Sequence, residues 1–180
     1  MSHEGPSDRT PTVVSVVVMG VSGSGKTTVG RLLAERLQVA FGEGDDFHSE
    51  HNVDKMAAGH PLDDEDRWPW LEAIGEWLDQ YESTGAVMAC SALKRSYRDV
   101  LRQHAPDVWF LHLTGTPEVM ASRIEHRKHH FMPESLVRSQ FATLETPGAD
   151  EQAIAVDVAQ TPPEIVDGFL AGLSQRLGRQ

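Results

Sequence analysis

The chain has 180 residues, which at about 100 to 200 per domain leaves room for one domain. Hydrophobic residues at 39% and charged residues at 24% fit a chain that buries a substantial core, which excludes wholesale disorder. Sixteen Lys and Arg against 27 Asp and Glu give a formal charge of −11, a balance that argues against a nucleic-acid backbone or an anionic membrane surface as partner.

The N-terminal stretch 1–11, with Ser2, Gly5, Pro6, Ser7 and Pro11, reads as a loose tail without an export signal, and 12–180 as a single domain. Val13 to Met19 is a β-branched run ended by Gly20, a buried strand far short of the ~20 residues that span a bilayer. Lys26 to Leu37 predicts a helix with Val29, Leu32, Leu33 and Leu37 on one face. A second strand covers Val39 to Gly42, and Ser49 caps a short helix that Gly59 stops. Asp63 to Tyr81 is mostly helical, with a break expected just before Pro69. Ala86 to Cys90 is a third strand, Ser96 to His104 a helix, and Val108 to Leu113 a fourth strand. Thr116-Pro117-Glu118 opens another helix. Glu134 to Glu145 is helical and Ala153 to Val158 a fifth strand, and Thr161-Pro162-Pro163-Glu164 is a capping box before a final amphipathic helix. Strands alternating with helices predict an α/β fold, a parallel sheet with helices on both faces.

Between the first strand and the first helix stands Gly20-Val21-Ser22-Gly23-Ser24-Gly25-Lys26-Thr27-Thr28, which matches G-x-x-x-x-G-K-[ST] at every fixed position. Such a loop turns its N–H groups inward onto phosphate, and the helix N-terminus adds the positive end of its dipole. Lys26 then reaches the β- and γ-phosphates, and the Thr27 hydroxyl is the candidate Mg²⁺ ligand. ATP and Mg²⁺ are the expected cofactors.

Ligands of open α/β sheets bind at the strand ends. After the second strand comes Glu43-Gly44-Asp45-Asp46-Phe47-His48. A carboxylate there orients or deprotonates an attacking hydroxyl, and the alternative makes Asp45 and Asp46 plain loop acids ahead of the next helix. The third strand ends without the Asp of an ordinary Walker-B strand, which weakens a motor or switch reading and shifts the Mg²⁺ burden to Asp45. Arg123 and Arg127, four apart at a helix end, would face the triphosphate from one side if the segment around 123–135 closes as a lid; the alternative is a solvated face. His48, His60, His129 and His130 have no metal-ligand spacing. Trp70 and Trp77 read as core residues, and Cys90 as a small buried apolar one. A lone cysteine makes no internal disulfide, so a reducing, cytoplasmic setting is expected.

These motifs together resemble the gluconate kinases, a branch of the small-molecule P-loop kinases, from about Val16 to Leu173. Besides the P-loop, the resemblance rests on Gly44-Asp45-Asp46-Phe47-His48, Pro61-Leu62-Asp63-Asp64-Glu65-Asp66-Arg67, Cys90-Ser91-Ala92-Leu93-Lys94, His130-Phe131-Met132 and Ser139-Gln140-Phe141. Ser49, where the family often has Pro, and His129, where it often has Gly, depart from the pattern. The resemblance implies a three-layer P-loop kinase fold with a five-stranded parallel sheet and a mobile lid, ATP-dependent phosphorylation of D-gluconate, and a homodimer. It implies Lys26 and Asp45 as catalytic residues, to which the spacing of Arg123 and Arg127 adds the two lid arginines. His48, Arg67, Lys94 and Arg98 would join Asp45 in gripping the sugar acid. The rival readings are a kinase of another small hydroxy acid, such as shikimate, and a non-catalytic nucleotide-binding regulatory module.

Overall fold

The computed structural model describes residues 13–125 and 134–178. The predicted N-terminal tail and the middle of the predicted lid, including Arg127, lie outside the described residues. Five strands form one sheet: β1 (Val16–Met19), β2 (Ala40–Glu43), β3 (Ala86–Ala89), β4 (Trp109–Thr114) and β5 (Ala153–Asp157). The helices are α1 (Lys26–Leu37), α2 (Glu50–Ala57), α3 (Asp64–Gln80), α4 (Arg95–His104), α5 (Pro117–Glu125), α6 (Glu134–Thr143) and α7 (Pro162–Leu177), with a 3₁₀ turn at Gly44–Phe47.

The sheet order is β2-β3-β1-β4-β5 and every pairing is parallel. Strand β1 is therefore central, and its four residues are all buried, as a strand covered on both faces requires. Side chains alternate between the faces. Val16 and Val18 join Leu33, Leu111, Phe169 and Leu173 in a core beneath α1 and α7, while Val17 and Met19 join Leu71, Ile74, Tyr97 and Leu101 beneath α3 and α4. The three-layer α/β architecture expected from the sequence is present, and the chain order reverses between β3 and β4, on either side of β1. The P-loop leaves the sheet at that switch point.

Several expected boundaries move by a single residue, and three expectations differ by more. The first strand begins at Val16 rather than Val13, because its neighbour β3 begins at Ala86 and Val16 is the first residue with a partner, Val87. Helix α3 runs unbroken through Pro69. Proline there removes only the bond to the Glu65 carbonyl, near the helix start. Burial of Trp70, Leu71, Ile74 and Leu78 and a reciprocal capping box between Asp63 and Asp66 outweigh that loss. Helix α6 stops at Thr143 because the Glu145 N–H turns away to the Leu93 carbonyl at 2.8 Å, two residues before Pro147. Elsewhere the caps stand as expected: Ser49 accepts from the Asn52 N–H at 3.2 Å, and Thr161 and Glu164 close a capping box. Among the described residues no helix is long and apolar enough to cross a membrane.

Candidate active site

The segment 20–28 joins β1 to α1. Gly20 has φ +149, and a side chain there would come to 3.0 Å from both the Leu113 carbonyl and Ser24 Oγ, so only glycine lets the loop pass this close to β4. Gly25 is the N-cap of α1 and no side chain caps the helix, while the first turn carries no acid. The first N–H groups of α1 are thus left for an anion, and the helix dipole favours one there. The Ser24 hydroxyl is buried in the loop without a partner among the described residues, a further polar atom that suits a phosphate. Lys26 folds back over the loop, its Nζ 3.1 Å from the Val21 carbonyl.

The Thr27 hydroxyl donates to Glu43 Oε2. A hydroxyl and a carboxylate side by side are the oxygen donors that Mg²⁺ takes, directly or through water. Glu43 ends β2, beside the carboxylate singled out in the sequence. Asp45 follows on the exposed 3₁₀ turn. The turn is set by Gly44, where a side chain would lie 2.4 Å from the Ala89 carbonyl, and by Trp70, whose indole N–H donates to the Gly44 carbonyl at 2.7 Å. Trp70 is buried as expected, and it also anchors the turn that presents Asp45. Behind the turn lies Cys90, whose thiol burial pushes up to about 12; the charges of Lys26, Asp45 and Glu43 all act on it, so these three groups share one neighbourhood.

His48 stacks on Trp70 at 4.3 Å between ring centroids and 11° between planes, with its Nδ1 3.3 Å from Asn52 Nδ2. Burial lowers its pKa, Asp45 opposing the shift and Arg67 adding to it. Beyond lies a cleft of about 570 Å³ lined by Leu62, Asp64, Arg67, Lys94, Ser139 and Thr143, among others. Arg67 and Lys94, 27 positions apart in the sequence, meet on its wall around Tyr97. Arg67 Nη1 donates to the Leu62 carbonyl at 2.6 Å and to Tyr97 Oη at 3.2 Å. The Tyr97 hydroxyl donates to Asp64, and Lys94 Nζ lies 3.0 and 3.1 Å from the two Asp64 oxygens. These bonds from Tyr97 and Lys94 hold the Asp64 carboxyl below the ordinary range, and Asp64 in turn raises Lys94. The wall thus combines the cations Arg67 and Lys94 with the carboxylates Asp63, Asp64 and Glu65 and the hydroxyls of Ser139 and Thr143, with Tyr97 behind the two cations, a polar set that can hydrogen-bond a small polyhydroxy acid.

Arg98 is not part of that wall. It is fully buried, and its five N–H donors are all accounted for by Glu151 (2.7 and 3.2 Å) and the carbonyls of Ala92, Leu93 and Glu145. Burial alone would raise the Glu151 carboxyl, but Arg98, the Gly148 N–H and Arg102 bring it down to about 2. A guanidinium so committed is a structural tie, which removes Arg98 from the substrate-gripping set. Arg123 does reach the phosphate loop. Its Nη2 donates to the Val158 carbonyl and its Nη1 lies 3.8 Å from where a Gly25 side chain would start.

Four residues at the site escaped the sequence reading of roles. Glu43 carries a usable signal, a carboxylate at the end of a strand next to a P-loop, but Asp45 drew the inference. Asp64 and Tyr97 stand within the motif stretches with nothing to say that they meet. Gln140 is 118 positions from Ser22, whose N–H donates to its Oε1 at 2.6 Å, and no local pattern announces such a contact.

A phosphate loop at the switch point of a parallel sheet, with a polar cleft carrying Arg67 and Lys94 beside it, defines a small-molecule P-loop kinase. Residues 16–135 match the family model described as an AAA domain. The chain is 48% identical over 157 residues to the gluconokinase of Gluconobacter oxydans (strain 621H), spanning 86% of this chain and 88% of that one. It is 49% identical over 143 residues to the thermosensitive gluconokinase of Escherichia coli (strain K12), spanning 78% and 76%. The crystal structure of a gluconokinase from Sinorhizobium meliloti 1021 superposes with a TM-score of 0.84 at 52% identity, over 90% and 92% of the two chains. Shikimate kinase from Aquifex aeolicus, at a TM-score of 0.63 and 16% identity, shares the fold alone. The chain belongs to the gluconokinase family.

Proposed function

We infer that this protein transfers the γ-phosphoryl group of ATP to D-gluconate, giving 6-phospho-D-gluconate and ADP. The observation that carries the reading is the polar cleft of Arg67, Lys94 and their acidic neighbours set beside the phosphate loop, in a chain nearly half identical to gluconokinases. Lys26, the loop amides and Arg123 would hold the triphosphate, Thr27 and Glu43 would hold Mg²⁺, and Arg67 and Lys94 would take the sugar-acid carboxylate. When bound, Mg²⁺ supplies charge neutralisation on the phosphates. The terminal hydroxyl of gluconate attacks the γ-phosphorus in line. Its oxygen forms the new P–O bond, its proton passes to the Asp45 carboxylate, and the bond to the β–γ bridging oxygen breaks to release ADP. Most of the rate comes from positioning and from charge stabilisation.

Phosphorus NMR of the protein with Mg-ATP and D-gluconate tests this reading. We expect ADP and a primary phosphomonoester in equal amounts, and free phosphate in place of the ester would contradict it. Assembly as a homodimer and a cytoplasmic location are proposals that rest on the family resemblance and the single cysteine; sedimentation and cell fractionation test them.

A further inference from the structure

One turn of α6 touches both halves of the site. Ser139 and Thr143, four residues apart on one face, line the acceptor cleft, while Gln140 reaches the phosphate loop. The helix is anchored on its other face: Val137 is buried, and Phe141, with Leu144 just past the helix end, packs on the same core. The Ser22 N–H that donates to Gln140 Oε1 at 2.6 Å belongs to the ring of amides that a P-loop turns toward phosphate. That N–H therefore has two rival acceptors. The carboxamide oxygen is neutral and a phosphate oxygen is charged, and charge-assisted bonds are roughly twice as strong as neutral ones, so the triphosphate wins the contest.

We propose that Gln140 is a positioning residue coupling the two substrate sites: its carboxamide and the triphosphate compete for the Ser22 N–H, and the exchange alters how α6 presents Ser139 and Thr143 to the acceptor. The proposal rests on the cleft being the D-gluconate site. It supplies what coupling requires, two sites and a contact that differs between two states. By linkage, the acceptor then changes triphosphate affinity by the same factor that triphosphate changes acceptor affinity.

Calorimetric titration with the β,γ-imido analogue of ATP, with and without saturating D-gluconate, tests it. In the wild-type protein D-gluconate shifts analogue affinity about fivefold or more. In Gln140→Ala that shift disappears, D-gluconate alone binds within about twofold of wild type, and the analogue alone binds about threefold tighter, the size of one neutral hydrogen bond removed from competition. Gln140→Met keeps the bulk and the helix and serves if the alanine variant does not fold. Gln140→Glu keeps an oxygen for Ser22 and adds a negative charge, and it weakens the analogue about tenfold or more. The same coupling factor in Gln140→Ala as in wild type, no coupling in wild type, or analogue binding that is unchanged or weaker in Gln140→Ala would each overturn the proposal. If wild type binds no D-gluconate at all, the substrate reading fails by itself. The analogue-only comparison of the three proteins then decides the competition at Ser22.

Discussion

Asp45 owes its position to its neighbours, since Gly44 leaves no room for a side chain against Ala89 and Trp70 ties down the Gly44 carbonyl. A carboxylate held this way does its work by where it stands. We expect Asp45→Asn to lower turnover by about 10²- to 10⁴-fold while ATP affinity stays within about twofold. Steady-state kinetics beside nucleotide titration checks this, and near-normal turnover would remove Asp45 from the chemistry. Lys94 offers a different split. On the proposed function its charge meets the sugar-acid carboxylate, so Lys94→Met should raise the KM for D-gluconate by about 10- to 100-fold and leave the KM for ATP nearly unchanged, as the loss of one charge-assisted bond predicts. Residue types at strand ends pointed to a candidate site, and Lys26, Thr27, Asp45, Arg67 and Lys94 stand around one region of the fold. What the sequence could not tell is which basic residues are already spent. Arg98 looks like any other arginine until Glu151, 53 positions later, is seen to hold it.

At the level of elements, α3 does two jobs. Its apolar stripe of Trp70, Leu71, Ile74 and Leu78 fills the core, and its first turns carry Asp64 and Arg67 to the cleft. The helix survives Pro69 because packing supplies far more than the one backbone bond that proline removes. Propensity reasoning predicts a break there, since it cannot weigh burial it has not yet seen. Strand and helix types were legible from period and caps, whereas strand ends depended on where the neighbouring strand begins. The seam between α4 and β5 is held by Arg98 and Arg102 on Glu151, most of it out of water. Removing one partner leaves the other charge buried and uncompensated. Glu151→Gln should therefore cost about 3 to 5 kcal/mol of stability, readable as a lower urea midpoint. A loss within experimental scatter would mean that the pair contributes little. Trp70→Phe should keep the core filled yet free the Gly44 turn, costing about 1 kcal/mol of stability together with a several-fold drop in turnover.

For the whole molecule, a five-stranded parallel sheet covered on both faces brings the phosphate loop, the Asp45 turn and the Lys94 segment to one edge, because β1, β2 and β3 all point their C-terminal ends that way. The acid limb of the pH response follows from the buried seam, and the limb nearer neutrality from the buried rings of His48 and His112. Glu151 titrates at about 2 in the folded chain against an ordinary 4.5. A depressed carboxylate contributes its stability in full above about pH 4.5 and loses it as pH falls toward 2. Urea midpoints should begin to fall below about pH 6.5, where burial lowers His48 and holds His112 at about 4, and should fall further below about 4.5, with a shallower acid limb in Glu151→Gln. The central claim is that the cleft of Arg67 and Lys94 delivers a sugar acid to the phosphate loop, and one measurement tests it most directly: ADP release with Mg-ATP, with and without D-gluconate, beside shikimate, glycerate and AMP. The account predicts a strong rate that depends on D-gluconate and a far weaker one with the other three. Turnover that prefers shikimate, glycerate or AMP, or an ADP release indifferent to any acceptor, would contradict it.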